Sequence, residues 1–422
     1  MGRRSVQSVF PIKSRISVSV STTTPAATQK AGVMNKRFGV LAVSLIVTAS
    51  SLAACGPAED AGGSPGPVAR SEEALSGAGW TVLQSSGPAP IRSIVRRSDG
   101  WLLGPRSNGH EIEVWASSNN GVSWFRHGSV ANNASVEFGD VTMLRVPGTK
   151  TLFCAFREHS NSQFRVTVTR SDNDGNTWVY DSTVVGPVSR FVGAPFLFIR
   201  GNGDLQVYYD SEELAAQNGY PGHQWIAMQG RTGKSGPWTA YGVVTVARET
   251  AAGALSREGM PTVVQLGGDR LMVVTEGVEP FTTGGVRANV VNSIQSWDGG
   301  RTWDYSLRRT VYRSYIHSDS GRRYNAYAPY AIRVGNGPVG VAFCTDEDKG
   351  TTPDLSSTPP DQRQCHVGYV STTTNFETWS GTSAIWTGST RNYSPGLFER
   401  SSNDVIVTID AFGGTQRVML RP

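Results

Sequence analysis

The sequence predicts an all-β chain whose repeated four-stranded units form a six-bladed β-propeller. Three observations carry this. An eight-residue turn pattern ending in Trp recurs along the chain. Box-like positions start near 117, 171, 230, 296 and 371, so the spacings run 54, 59, 66 and 75, a period with room for about four strands per unit. Short apolar runs alternate with Gly/Asn/Asp turns, and no long helical periodicity interrupts them. With 48 Gly and 22 Pro among 422 residues and 17% charged, the composition favours many short strands joined by turns. Five box positions plus a final strand set give six units, the last closed by a strand from the N-terminal part of the domain.

The turn pattern is clearest at Ser171–Trp178, S-D-N-D-G-N-T-W, and at Ser296–Trp303, S-W-D-G-G-R-T-W. A weaker copy, S-S-N-N-G-V-S-W, occupies Ser117–Trp124. Asp or Asn accepts backbone N–H bonds and tolerates left-handed backbone, Gly supplies a positive φ, and the Trp packs beneath the turn. The pattern is an Asp box, and with it the chain resembles the sialidase-type β-propeller superfamily. Turn chemistry explains these residues, which makes them scaffold rather than catalytic groups.

The elements follow in order. Residues 1–33 are polar and Ser/Thr-rich, an unstructured extension or the product of a misassigned start. Residues 34–54 read as a secretion signal: Asn35, Lys36 and Arg37 are its polar, charged end, and Phe38 to Leu52 is apolar. It ends Leu52-Ala53-Ala54-Cys55, which resembles the bacterial lipoprotein cleavage box, with Cys55 as the lipidated residue; the bland alternative is a plain signal peptide. The apolar run is shorter than the roughly 20 residues of a spanning helix. Residues 55–76 are Gly-, Pro- and Ala-rich, a tether, and the propeller runs over 77–422. Within it, hairpins read at Ile91–Arg97 with Trp101–Gly104, at Phe196–Arg200 with Leu205–Tyr209, at Thr262–Leu266 with Arg270–Glu276, and at Ala331–Val334 with Val339–Cys344. Val141–Val146, Thr151–Arg157 and Arg165–Arg170 lead into the second box. Degenerate boxes end at Trp238 and Trp379, and Leu397–Arg400 and Val405–Ile409 finish the chain.

The net charge of +5 belongs to the leader. Residues 1–54 hold seven Lys or Arg and no acid, and removing those seven from 39 leaves 32 basic against 34 acidic residues, a net of −2. A nucleic-acid partner needs a basic face on the domain itself, and none is visible. The six His form no metal-type pattern with Cys, so no metal or cofactor is expected. Cys154 sits inside an apolar strand and reads as buried. Cys344 and Cys365 bracket an irregular segment; either a disulfide clamps it in an oxidising compartment or both are small apolar residues.

Two acidic stretches stand out. Y-Y-D-S-E-E at Tyr208–Glu213 leaves a strand, and Glu276 ends the otherwise apolar run L-M-V-V-T. A carboxylate in such a place is costly to bury unless paired or used. Here the chain resembles glycoside hydrolase family 93, six-bladed propellers that release arabinobiose from α-1,5-L-arabinan. The matching positions are Tyr208-Tyr209-Asp210-Ser211-Glu212, where the family has Y-Y-S-x-E, then Gln224, Arg257-Glu258-Gly259-Met260-Pro261, Glu276, Ala328-Pro329-Tyr330 and Phe343–Asp348. The doubled Glu212-Glu213 leaves the register open. The resemblance implies a retaining exo-acting hydrolase, with Glu212 as nucleophile and Glu276 as acid and base. Tyr393 resembles a sialidase Tyr and either tunes the nucleophile or packs. Arg92, Arg157, Gln224, Arg257 and Tyr330 are implied substrate contacts. Alternatives are a sialidase, although Pro90-Ile91-Arg92-Ser93 lacks the F-R-I-P motif, and a non-catalytic carbohydrate-binding propeller. The expected partner is carbohydrate, with a membrane reached only through the lipid, no nucleic acid, and a monomeric chain.

Overall fold

In the computed structural model the described residues are 79–84, 87–238, 242–250, 255–278, 288–347, 366–372, 375–387, 392–401, 404–411 and 415–421. They are overwhelmingly strand, as the turn-rich composition requires. Each blade is a four-stranded antiparallel meander. One strand, β1 (Thr81–Gln84), comes from the N-terminal end. The first consecutive sheet holds β2 (Val95–Arg96), β3 (Leu102–Ser107), β4 (Glu111–Ser117) and β5 (Phe125–Asn132). The second holds β6 (Glu137–Arg145), β7 (Leu152–Ser160), β8 (Gln163–Ser171) and β9 (Val179–Val188). The third holds β10 (Val192–Ile199), β11 (Leu205–Ser211), β12 (Trp225–Arg231) and β13 (Val244–Ala247). The fourth holds β14 (Gly259–Gly267), β15 (Arg270–Val278), β16 (Asn289–Ser296) and β17 (Arg309–Tyr312). The fifth holds β18 (Ala326–Arg333), β19 (Val339–Thr345), β20 (His366–Ser371) and β21 (Ser383–Trp386).

The sequence spacing put six units around the axis. The structure builds five blades from consecutive strands; a further four-stranded sheet is composite, pairing β22 (Asn392–Ser401), β23 (Asp404–Ala411) and β24 (Thr415–Arg421) with β1. The first and last described strands are thus hydrogen-bonded to each other, which protects what would otherwise be two sheet edges. Central strands such as β11, β12 and β19 are buried on both faces, because each blade is covered by its neighbours. The segment that leaves the strand after Asp210 continues as a short helix, α1 (Glu212–Gln217), capped by the Ser211 hydroxyl, which accepts from the Leu214 amide at 2.9 Å.

The inner strands β6, β10, β14, β18 and β22 stand side by side around the axis. All five carry a bulge where the register to the next strand shifts, and a non-glycine residue there has positive φ: Asp140, Ala194, Met260, Ala328 and Ser394. Arg92, just before β2, has the same backbone, φ 65°. Such a bulge kinks the strand and re-aims its side chains. β22 meets the start of the first blade so closely that a Cβ on Gly396 would overlap the Arg92 carbonyl.

The three clear box copies share one turn geometry. Ser117, Ser171 and Ser296 each accept the amide of the Gly four residues on, at 2.8, 2.9 and 2.9 Å. Asn119, Asn173 and Asp298 accept the next amides, and Gly121, Gly175 and Gly300 have φ of 88°, 84° and 88°. These turns join the third and fourth strands of their blades. In the fourth blade Ser296 pairs with Leu271 while Val291 pairs with Glu276. Five residues of strand, about 17 Å at about 3.4 Å each, separate the turn from that carboxylate.

Candidate active site at the propeller axis

At the end of the inner strands opposite the turns lies a cavity of about 580 Å³, lined among others by Asp140, Arg157, Asp210, Glu212, Arg257, Glu276 and Tyr393. The blades deliver these groups by register. Glu276 stands opposite Gly259 in the β14–β15 pairing, and Asp210 stands opposite Gly193 in the β10–β11 pairing. Gly259 leaves the space that the Glu276 and Asp210 carboxyl groups border, and Gly193 leaves the space taken by Phe191, Arg157 and Asp140.

Glu276 accepts the Ala328 amide through Oε2 at 2.6 Å. Burial pushes its carboxyl above the ordinary range, while the Ala328 amide, Arg92 and Arg257 offset part of that. Asp210 is 4% exposed. Its Oδ1 accepts the Met260 backbone amide at 3.1 Å and its Oδ2 the Gln224 side-chain Nε2 at 3.3 Å. Burial, then the neighbouring charges of Asp140 and Glu276, push Asp210 well above the usual carboxylate range. Burial and the same two acids, Glu276 ahead of Asp140, also push the Tyr393 phenol up.

The two arginines that line the cavity are already engaged. Arg157 donates to Asp140 at 2.9 Å and to Glu137 at 3.0 Å. Burial would lower its guanidinium, yet the charges of Asp140 and Glu137 hold it above its ordinary value. Arg257 donates to Glu212 at 2.6 Å, with the two side chains 32% and 26% exposed.

The sequence-derived residues divide accordingly. Glu212, Glu276, Tyr393, Arg157, Gln224 and Arg257 all line the one cavity. Of the doubled acids it is Glu212 that faces it, while Glu213 bonds to Arg190 and Gln217. Tyr330 does not belong: it is buried and lines a separate cavity of about 680 Å³ with Phe196, Val263 and Leu397. It lies beyond the Ala328-Pro329 bulge, where the register has already shifted. Arg92 also sits behind the wall, 5% exposed, donating to the Met260 sulfur at 3.9 Å and lying 5.7 Å from the Tyr330 ring centre. Cys154 is fully buried and its thiol pushed up, as its strand context implied. Cys55 and Cys365 lie outside the described residues, and with them the lipidation and the disulfide.

Sequence reasoning missed Asp140 and Asp210. Asp140 had a signal, the recurring inner-strand step Gly193-Ala194-Pro195, Gly259-Met260-Pro261, Tyr327-Ala328-Pro329 and Tyr393-Ser394-Pro395. Gly139-Asp140-Val141 is the copy without proline.

The fold places the chain in the class of all-β propellers shared by several glycosidases. Within that class it is similar to the α-L-arabinofuranosidase of Fusarium graminearum in a mutant form bound to an iminosugar inhibitor, at 18% identity and a TM-score of 0.56, over 79% of this chain and 92% of that one. A glycoside hydrolase family 93 arabinofuranosidase structure from the same fungus, in complex with arabinobiose, matches at 17% identity and a TM-score of 0.53, over 79% and 95% of the two chains. A Hadza microbial sialidase matches at 15% identity and a TM-score of 0.52, covering 79% of this chain and 65% of that one. No protein-family model and no curated protein matches the sequence.

Proposed function

We propose that the propeller is a retaining exo-acting glycoside hydrolase that cleaves α-1,5-L-arabinofuranosidic linkages of arabinan and releases arabinobiose. The observation that carries this is the convergence of several carboxyl groups with different surroundings in one cavity. Glycoside hydrolysis needs two carboxyl groups, one ionised and one holding a proton. Asp140 and Glu212 are each paired with an arginine, while burial favours the protonated form of Glu276 and Asp210. Glu276 is one working carboxyl group; the family pattern assigns the other role to Glu212. A cavity of about 580 Å³ suits a short oligosaccharide end, which supports exo action. The likeness to an arabinofuranosidase solved with arabinobiose supports the sugar.

Tyr393 beside Glu276 favours a sialidase as the second reading. That chemistry needs several guanidinium groups aimed at a substrate carboxylate. Here Arg157 and Arg257 are bound to acids and Arg92 is behind the wall, so the arabinan reading is preferred.

The test is incubation of the purified protein with linear arabinan, sialosides and other plant and host glycans, identifying products by mass. Arabinobiose is the expected product, and Glu276→Gln lowers turnover about 10³-fold while binding persists. Release of sialic acid, of monosaccharide alone or of long oligomers would refute this specificity. We further propose that Cys55 is lipidated and tethers the enzyme to a membrane; labelled palmitate is then incorporated into the wild type and not into Cys55→Ser.

A further inference from the structure

Which carboxyl group works with Glu276 is decided by what surrounds each candidate. The Gly259 side of the cavity is a gap between two acids. A Cβ built on Gly259 would lie 3.1 Å from Glu276 Oε1 and 3.4 Å from Asp210 Oδ2. The two oxygens are therefore no further apart than those distances added, about 6.5 Å, within reach of the roughly 5–5.5 Å spacing of retaining enzymes. Oε2 of Glu276 is fixed by the Ala328 amide, which leaves Oε1 facing the gap. Asp210 is held at both oxygens, by the Met260 backbone amide at 3.1 Å and the Gln224 side-chain amide at 3.3 Å. Among the described residues its hydrogen bonds come from amides and not from a cation.

Glu212 is placed differently. It starts α1 and is bound to Arg257 at 2.6 Å, with both groups partly exposed. Its carboxylate is committed to a guanidinium that also bears on Glu276. Asp140 is committed in the same way to Arg157.

Building on the glycosidase reading above, we propose that the carboxyl partner of Glu276 is Asp210, and that Glu212 is a positioning residue that holds Arg257. Of the two it is Asp210 that carries the proton: both are buried and both accept a backbone amide, but the leading charges on Asp210 are the acids Asp140 and Glu276, whereas at Glu276 the cations Arg92 and Arg257 come ahead of Asp140. In the first step Glu276 Oε1 forms a bond to the anomeric carbon as the glycosidic C–O bond breaks. The bond electrons go to the leaving oxygen, which takes the Asp210 proton and departs as an alcohol. In the second step a water gives its proton to Asp210 and its oxygen to the anomeric carbon, and the carbon–Glu276 ester bond breaks. Both carboxyl groups return to their starting states, and the net change is hydrolysis. This departs from the family pattern at the one position where this chain has Asp210 in place of Ser.

The experiment compares Asp210→Asn, Glu212→Gln and Glu276→Gln on two substrates: the glycan that the wild type cleaves, and a nitrophenyl glycoside of the same sugar, whose leaving group needs no acid. Asp210→Asn is expected to lose about 10³-fold in kcat/KM on the glycan and about tenfold or less on the nitrophenyl glycoside. Azide restores its turnover and yields the glycosyl azide of retained configuration, which a merely structural residue would not do. Glu212→Gln is expected to raise KM while kcat stays within about tenfold. The assignment is overturned if Asp210→Asn stays within about tenfold of wild type on the glycan, or loses equally on both substrates without azide rescue. It is also overturned if Glu212→Gln is as damaged as Glu276→Gln. Those outcomes leave the hydrolase reading intact, because the wild type is active in each. A wild type inert on every glycan overturns both.

Discussion

Asp298 and Asp210 are the same residue in opposite circumstances. Asp298 sits in a repeated turn at the end of its blade away from the cavity and receives the Arg301 and Thr302 amides and the Ser296 and Thr302 hydroxyls. Burial pushes its carboxyl up, but those bonds, Thr302's foremost, together hold it below the usual range. Asp210 sits in the cavity, receives two amides and faces other acids, and is pushed far up. A turn surrounds its acid with donors because the backbone there needs them as much as the acid does. The cavity gives Asp210 fewer donors and sets other acids beside it, so burial and like charge favour its protonated form. Local order and chemical poise are thus spent in different places on one blade set.

Two glycines give the largest contrast. Gly259→Ala puts a methyl within 3.1 Å of Glu276 Oε1 and 3.0 Å of Gln224 Nε2. The backbone there accepts alanine, so the melting temperature should move little while kcat/KM falls about 100-fold through displaced carboxyl groups. Gly300→Ala meets a φ of 88° and the Tyr208 hydroxyl at 2.7 Å. It should cost about 1–3 kcal/mol in denaturant unfolding, with activity per folded molecule unchanged. The reverse pattern would put the function in the turns.

The two aspartates should also respond to pH with opposite signs. The Asp298 carboxyl is depressed in the folded state, so its contribution is present above the unfolded value of about 3.9 and lost as pH falls through the lower folded value. Asp298→Ala should therefore cost about 1 kcal/mol at pH 7 and progressively less in acid. The Asp210 carboxyl is raised, so its cost is absent below about 3.9 and grows as pH rises toward the folded value. Asp210→Asn should be more stable than wild type at pH 7, and the gain should vanish near pH 4. Melting curves from pH 3 to 8 check both signs.

The turns were readable because a positive φ and an acceptor side chain leave few residue choices, so Ser171–Trp178 and Ser296–Trp303 are spelled alike. Glu276 was readable because a charge closing an apolar strand is conspicuous. Asp210 was hidden: β11 is buried on both faces, so no alternation marks which way Asp210 turns, and the strand gives way to a helix at Glu212. The Asp140 bulge was hidden because proline is absent from that copy. Tyr330 was misplaced because a bulge changes which face a residue joins, and the A-P-Y string alone does not show the shift.

The smallest expected effect is the sharpest test of the turn half of the contrast. Asn119 occupies the Asp298 position in the first blade, where its Oδ1 accepts the Ser123 amide and the Ser117 hydroxyl at 2.9 Å each. Its Nδ2 donates to the Ser123 hydroxyl at 2.8 Å. Asn119→Asp replaces that donor with an oxygen, and the Ser123 hydroxyl rotates to donate instead, as the Thr302 hydroxyl does to Asp298 at 2.6 Å. Charge-assisted bonds are stronger than neutral ones, but the side chain is exposed and water competes. A gain of about 0.5 kcal/mol at pH 7 is therefore expected, falling to nothing as pH drops through the depressed value of the new carboxyl group. A gain that persists at pH 3 would show that charge is not what these turns reward.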